Sequence, residues 1–169
     1  MHPYPHHYTA SARAPAAGSV TISAPALAPI DTAPPPEFDG PAGFWSPETL
    51  LTAAVADCFI LTFRALARVA RFDWITLDCH TEGTLERIEG QSRFTRFATT
   101  ARLTVPHGAD IPRAQRLLEQ AEHGCLIANS LSAARALATE VIAHDHTTDA
   151  ASRLTTAPAE RCPEKKDAN

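Results

Sequence analysis

The hydrophobic residues between positions 50 and 63 recur every three or four places, as they do on one face of an α-helix. Ser46-Pro47-Glu48 precedes them, and a serine N-cap, a proline at the first helical position and an acid in the first turn are typical of a helix start. The pattern predicts a long helix that buries one face, formed by Leu50, Leu51, Ala54, Val55, Cys58, Phe59, Thr62 and Phe63. Cys58 therefore lies on the predicted buried face.

Downstream, the pattern changes to alternation and then returns to helical spacing. Residues 74–87 and 94–105 alternate around the turn Ile88-Glu89-Gly90-Gln91, which predicts an antiparallel hairpin with Ile75, Leu77 and Cys79 on one side. Asp110 and Pro112 open a second predicted helix, which ends at Gly124 just before Cys125. Its inward-facing residues are predicted to be Ala114, Leu117, Leu118 and Ala121.

The two ends of the chain carry weaker patterns. Residues 8–12 and 19–24 predict two short strands joined through Gly18. The prolines between Pro25 and Pro47 favour extended or turn conformations, so we predict an ordered loop there. Residues 145–169 are polar, and we expect a disordered tail after a single domain of residues 1–144.

Composition narrows the class of protein. The chain has 169 residues, of which 44% are hydrophobic and 20% charged, as expected for one globular domain with a real core. A net charge of −4 without any lysine or arginine block argues against nucleic acid as a partner. Glu48, Asp57 and Arg64 interrupt the apolar run around Cys58, which argues against a membrane span.

The N-terminal residues lack the basic region and apolar core of a secretory signal, so we expect a cytoplasmic protein. In that reducing compartment the four widely spaced cysteines are not expected to form a disulfide framework, and their spacing matches no zinc motif. Each thiol must therefore be judged by its surroundings.

Three motifs stand at intervals along the chain: Ser-Pro-Glu-x-Leu-Leu at 46–51, Val-Ala-Asp-Cys-Phe at 55–59, and Ala-Glu-x-x-Cys-Leu-Ile at 121–127. Together they resemble the OsmC/Ohr family of thiol peroxidases, the osmotically inducible and organic hydroperoxide resistance proteins. The order of elements is also similar over residues 8–144. The resemblance implies an α/β (α+β) fold, formed as an intertwined homodimer in which antiparallel sheets wrap around long central helices, with two active sites at the subunit boundary.

The resemblance also implies roles for particular residues. Cys58 matches the peroxidatic cysteine, Cys125 the resolving cysteine, and Glu48 the acid that anchors an arginine beside the reactive thiolate. In one branch of the family this arginine comes from the loop after the first strand, where Arg13 stands. In another it lies just before a Phe-acid-Gly segment, where this chain has Glu37. Arg13 is therefore the candidate.

The implied reaction is reduction of organic, including lipid, hydroperoxides to alcohols. The Cys58 thiolate attacks the peroxide, becomes a sulfenic acid and condenses with Cys125 to a disulfide. A dihydrolipoyl-type or small dithiol then reduces the disulfide, and no metal or cofactor is expected. Glu48 and Cys58 lie about 15 Å apart along a straight helix, so either the helix breaks near Cys58 or a long arginine spans the gap.

An apolar pocket for an organic hydroperoxide is predicted from Phe44, Trp45, Phe59 and Phe63, although each of them could be ordinary core. Two alternatives remain open. One is a non-catalytic member of the fold that binds small apolar molecules. The other is a metal site that combines His6 and His7, or His123 and Cys125, with Cys58 and Glu48. Glu48 could also be only a helix-start acid, and Arg13 a solvated charge. Cys79 and Cys162 are assigned no role.

Overall fold

Two three-stranded sheets and three α-helices form the fold in the computed structural model, which describes residues 3–144. The fold is a mixed α+β arrangement, as the sequence predicts. The tail predicted for 145–169, and Cys162 within it, lie outside the described residues.

The N-terminal sheet contains β1 (Ser11–Arg13), β2 (Val20–Ser23) and β3 (Ile30–Thr32), which pair antiparallel in that order. The first two confirm the predicted hairpin. The third strand was not predicted, because it lies inside the proline-dense segment that was interpreted as a loop. After β3 the backbone N–H of Ala33 donates to the carbonyl of Trp45 at 3.0 Å, which ties this sheet to the start of the next helix.

Helix α1 (Pro47–Ala70) begins where the sequence predicts. The Ser46 hydroxyl accepts from the N–H of Thr49, and the Thr49 hydroxyl accepts from the N–H of Ser46, so two free helix donors are satisfied. Val55, Phe59, Phe63 and Ala67 form its buried face. The helix runs unbroken past Cys58, so the predicted possibility of a break near that residue is wrong.

Strands β4 (Thr76–Ile88) and β5 (Gln91–Pro106) confirm the predicted hairpin. Glu89 and Gly90 both have positive φ, which gives the type I′ turn that suits the twist of a two-residue hairpin. Strand β6 (Ala134–His144) was not predicted, and it pairs parallel with β5. This second sheet is therefore mixed, in the order β4-β5-β6, rather than wholly antiparallel.

Helices α2 (Ile111–Gly124) and α3 (Leu126–Asn129) connect β5 to the parallel strand β6. The Asp110 carboxylate caps α2 by accepting from the N–H of Arg113 at 3.0 Å. All four predicted inward residues of α2 are buried, namely Ala114, Leu117, Leu118 and Ala121. Cys125 is the single residue between the two helices.

The main core forms where α1 and α2 meet the β4-β5-β6 sheet, and its largest fully buried side chains are Phe63, Leu103 and Leu118. A smaller cluster of Val55, Phe97, Cys125 and Ala128 lies beside it, with Cys58 packed against its edge. Helix α1 is long and apolar enough to cross a membrane by length and composition, a test that core helices of soluble proteins also pass. Only 22% of the most apolar 18-residue stretch of α1 is buried within this chain.

Candidate active site

Helix α1 and the α2–α3 junction bring the two predicted redox cysteines together. Gly124 allows this close approach, since a Cβ at that position would lie 3.1 Å from the Thr62 side chain on α1. Cys58 and Cys125 share one apolar cluster, and their thiols are close enough for Cys58 to raise the pKa of Cys125. The backbone N–H of Ile127 also points to Cys58, with the nitrogen 3.5 Å from its Sγ. The segment that carries one sulfur thus supplies a donor to the other.

The two thiols differ in their exposure to solvent. Cys125 is only 2% exposed, whereas Cys58 is half-buried. Burial raises the pKa of the Cys125 thiol to about 11; the N–H groups of Ala128 and Ile127 lower it in part, and the neighbouring Cys58 raises it further. Cys125 therefore carries its proton at neutral pH. A buried, protonated thiol is a poor first nucleophile, and Cys58 is the more accessible of the two thiols.

Glu48 lies in the first turn of α1, ten residues before Cys58 on an unbroken helix, so the two side chains are not neighbours. Its Oε2 atom is buried and has no hydrogen-bond partner within the described part of the chain. A buried carboxylate oxygen without a donor is costly. A hydrogen-bond donor for Glu48 Oε2 would therefore have to come from outside residues 3–144 of this chain.

Two cavities, of about 520 and 550 Å³, meet at Glu48. The first lies between the start of α1 and strands β4 and β5, and its charged lining residues are Glu37 and Glu48. The second lies between α1 and the N-terminal sheet, with an apolar lining that includes Ala12, Val20 and Ile22. Cys58 lines neither cavity.

Arg13 is not brought to Cys58 or Glu48 within the chain. It is exposed at the end of β1 and makes no side-chain hydrogen bond or ion pair with any residue of the described range. Ala12 faces the second cavity, and successive strand residues point to opposite faces of a sheet, so Arg13 faces away from it.

The four aromatic residues predicted to line a substrate pocket do not share one. Phe59 and Phe63 are buried in the main core, where Phe63 makes an edge-to-face contact with Trp74 at 5.4 Å between ring centroids. Phe44 and Trp45 are exposed in the loop before α1. The residues that actually surround the cavity near Glu48 include Phe38, Leu85 and Phe94.

The remaining candidates are the third described cysteine and the predicted metal site. Cys79 is half-buried on β4, where burial raises the pKa of its thiol and Thr81 lowers it in part. Over residues 3–144 no group of three or more His, Cys, Asp and Glu side chains could hold a metal ion.

One charged network beside Cys125 was missed by the sequence interpretation. Arg135, near the start of β6, pairs with the carboxylate of Glu122 through its Nε at 3.2 Å and donates from Nη1 to the side-chain oxygen of Asn129 at 2.7 Å. Nothing in the local sequence marks Arg135, since β6 itself was not predicted. The contacts depend on the crossover that brings β6 back to the end of α2.

Comparison with known proteins decides the family. A model of the family described as OsmC-like protein matches residues 40–140, which include α1, the hairpin, both cysteines and most of β6. The chain belongs to the OsmC-like protein family. Glu48, Cys58 and Cys125 lie inside the matched region of this OsmC-like chain, whereas Arg13 and Glu37 lie before it.

The relatives of this OsmC-like protein are distant. The uncharacterised protein YmaD of Bacillus subtilis is 26% identical over 100 residues, which are 57% of this chain and 67% of YmaD. An OsmC-like protein of unknown function from Vibrio cholerae has the same fold, with a TM-score of 0.72 and 17% identity over 82% of this chain and all of that one. An organic hydroperoxide resistance protein from Legionella pneumophila follows, with a TM-score of 0.64 and 22% identity over 83% of this chain and 99% of that one.

Proposed function

We propose that this OsmC-like protein is a thiol-dependent peroxidase that reduces organic hydroperoxides, lipid hydroperoxides among them, to alcohols. The observation that carries the proposal is the packing of Cys58 and Cys125 in one apolar cluster, where the residues after Cys125 reach the Cys58 sulfur. Solved structures of the same fold include proteins named for organic hydroperoxide resistance, which supports the choice of substrate. We assign the protein to the cytoplasm, where dithiol reductants keep such a pair reduced.

The chemistry divides between the two sulfurs. The Cys58 thiolate attacks the terminal peroxide oxygen, the O–O bond breaks, and the alkoxide takes a proton and leaves as the alcohol. The peroxide gains two electrons and Cys58 becomes a sulfenic acid. Cys125 then attacks that sulfur, so that an S–S bond forms, the S–O bond breaks and water leaves. A dithiol, dihydrolipoyl or small, restores both thiols by exchange and is itself oxidised to a disulfide.

The N–H of Ile127 supports this assignment, because it would donate to the negative sulfur before attack. A cationic neighbour is needed as well, since an ordinary cysteine is mostly protonated at neutral pH. The unpartnered Glu48 oxygen is where an arginine would be anchored. Our candidate is Arg13, contributed by the second subunit of a homodimer.

Dimerisation accounts for the poor cover of α1 within a single chain. Only 22% of the most apolar 18-residue stretch of α1 is buried, and Leu61 and Val69 of this helix are exposed. Exposed apolar helix surface of this kind is stabilised by a second copy of the chain. The same association would bring one subunit's N-terminal sheet, and with it Arg13, towards the other subunit.

A second candidate function is non-catalytic binding of a small molecule. It is favoured by the cavity of about 520 Å³, which has carboxylates but no arginine or lysine in its lining. Such a cavity suits an apolar ligand with a cationic group. A binding protein would leave Cys58 and Cys125 as free thiols after brief exposure to peroxide.

Peroxide consumption tests the proposal. The purified full-length protein should consume cumene hydroperoxide in the presence of dithiothreitol or dihydrolipoamide, at a rate proportional to enzyme concentration. Hydrogen peroxide, which lacks an apolar group, should be consumed more slowly. Consumption no faster than with the dithiol alone would contradict the proposal and leave the binding function.

The raised pKa of Cys125 predicts a steep pH dependence for disulfide closure. Since the thiolate is the nucleophile, its fraction below a pKa of about 11 increases about tenfold for each pH unit. We therefore expect the rate of closure, measured by rapid mixing after Cys58 is oxidised, to rise about a hundredfold from pH 6 to pH 8. A rate that is flat over this range would show that Cys125 is not the attacking group.

A further inference from the structure

The Cys125 thiol is carried by a junction that has little local structure of its own. Cys125 is the only residue between α2 and α3, and α3 has four residues. Leu126 and Ile127, which follow, are exposed. A single helical turn is not stable in isolation, so the position of Cys125 must be fixed by contacts from elsewhere in the chain.

The guanidinium of Arg135 supplies those contacts from both sides of Cys125. On the α2 side, its Nε pairs with the Glu122 carboxylate at 3.2 Å and its Nη1 donates to the Glu122 carbonyl at 3.4 Å. On the α3 side, Nη1 donates to the Asn129 side-chain oxygen at 2.7 Å. Asn129 closes the ring by donating through its side-chain nitrogen to the carbonyl of His123 at 2.9 Å.

The ion pair of this network is partly shielded from solvent, whereas Asn129 is exposed. The side chains of Arg135 and Glu122 are 29% and 17% exposed, so solvent screens their attraction less than that of a surface pair. The void that separates them from Cys125 and Val55 measures only about 10 Å³, room for one water molecule at most. This void leaves no room for a peroxide between the ion pair and Cys125.

We propose that Arg135 is a positioning residue, which together with Glu122 and Asn129 holds the Cys125 thiol against Cys58 so that disulfide closure outruns further oxidation. This inference rests on the proposed peroxidase function. The sulfenic acid on Cys58 has two fates: attack by Cys125, which releases water, or reaction with a second hydroperoxide, which gives sulfinic acid and a second alcohol. Small displacements of reacting groups cost large factors in rate, so the anchoring of the junction sets the balance between the two fates.

The test uses the full-length chain with Cys79→Ser and Cys162→Ser, which leaves Cys58 and Cys125 as its two thiols. In Arg135→Ala we expect closure to slow about ten- to a hundredfold. The first oxidation of Cys58 should change less than about twofold, because Arg135 does not contact that sulfur. The peroxide concentration that gives half-conversion to sulfinic acid, measured by mass spectrometry, should fall by the same factor as the rate of closure.

Arg102→Ala is the matched control. Arg102 also pairs with a glutamate across β5 and β6, at 2.8 Å from Glu140, but the two side chains are 61% and 53% exposed and lie away from Cys125. Its closure rate should equal that of the parent chain. Equal closure rates in Arg135→Ala and Arg102→Ala would overturn the proposal.

Two further variants keep the proposal testable if Arg135→Ala does not fold. Glu122→Gln removes the ion pair but leaves the other contacts of Arg135, and closure should slow about threefold. Arg135→Lys keeps the charge but loses the planar fork, so it should also close at least about threefold more slowly. Parent-like closure in both variants would contradict the positioning role.

A glutathione titration separates this inference from the proposed function, because it needs no peroxide. Exchange with oxidised glutathione forms the Cys58–Cys125 disulfide and releases two molecules of reduced glutathione. The equilibrium constant measures how well the fold holds the two thiols together, and it should fall at least about tenfold in Arg135→Ala. If the parent chain does not react with peroxide, the peroxidase proposal is wrong. Independently of that result, an equilibrium constant with glutathione that is unchanged in Arg135→Ala would contradict the positioning role.

Discussion

Replacement of Cys58 by serine should lower peroxide consumption at least about a thousandfold, to the rate of the dithiol alone. A serine hydroxyl is a poor nucleophile at neutral pH, and the other thiol of the pair, Cys125, is buried and protonated. The fold should be unaffected, because Cys58 is half-buried at the edge of its cluster and serine is nearly the same size.

Cys79→Ser is the control for the loss of a thiol. Cys79 is also half-buried, but it lies on β4 against the main core rather than beside Cys125. Its turnover should stay within about twofold of the parent. The measurement is the initial rate of cumene hydroperoxide loss with dihydrolipoamide. Turnover in Cys58→Ser at a rate close to that of the parent would contradict the role of Cys58 as the residue that attacks the peroxide.

Replacement of Cys125 by serine should have the second largest effect, and it should appear only after the first turnover. The Cys58 sulfenic acid would form at the parent rate but could not close an intramolecular disulfide. Steady-state consumption should fall about a hundredfold, since reduction would depend on direct collision with the external dithiol. Excess peroxide should convert Cys58 to sulfinic acid.

The buried hydroxyl that Cys125→Ser introduces would cost about 1–3 kcal/mol if left without a partner, although the nearby carbonyl of Val55 can accept from it. A thermal unfolding transition in this range of destabilisation would show that the variant still folds. Full steady-state activity without sulfinic acid would contradict a resolving role for Cys125 and would indicate a disulfide with another thiol.

The elements that the sequence predicted well are those specified by local signals. Ser46 and Pro47 mark the start of α1, and the spacing of Ala114, Leu117, Leu118 and Ala121 marks the buried face of α2. The alternation around Glu89-Gly90 predicts the β4–β5 hairpin because the partner strand is adjacent in sequence. The structure also brings together the two cysteines named by the family motifs.

The elements that were missed depend on distant partners. β3 lies among prolines and is a strand because it pairs with β2. β6 is rich in alanine, which favours helix, and it is a strand because it pairs with β5. The aromatic pocket failed to assemble because Phe59 and Phe63 face the core on α1. Arg135 acts across a crossover, and no local pattern could have placed it beside Cys125.

The most direct test of the central claim is peptide mass spectrometry of the non-reduced protein after one molar equivalent of cumene hydroperoxide. The account predicts that most chains contain a disulfide between the Cys58 and Cys125 peptides, with Cys79 still a free thiol. Cys58 and Cys125 both recovered as free thiols, or Cys58 joined to any other cysteine, would contradict it.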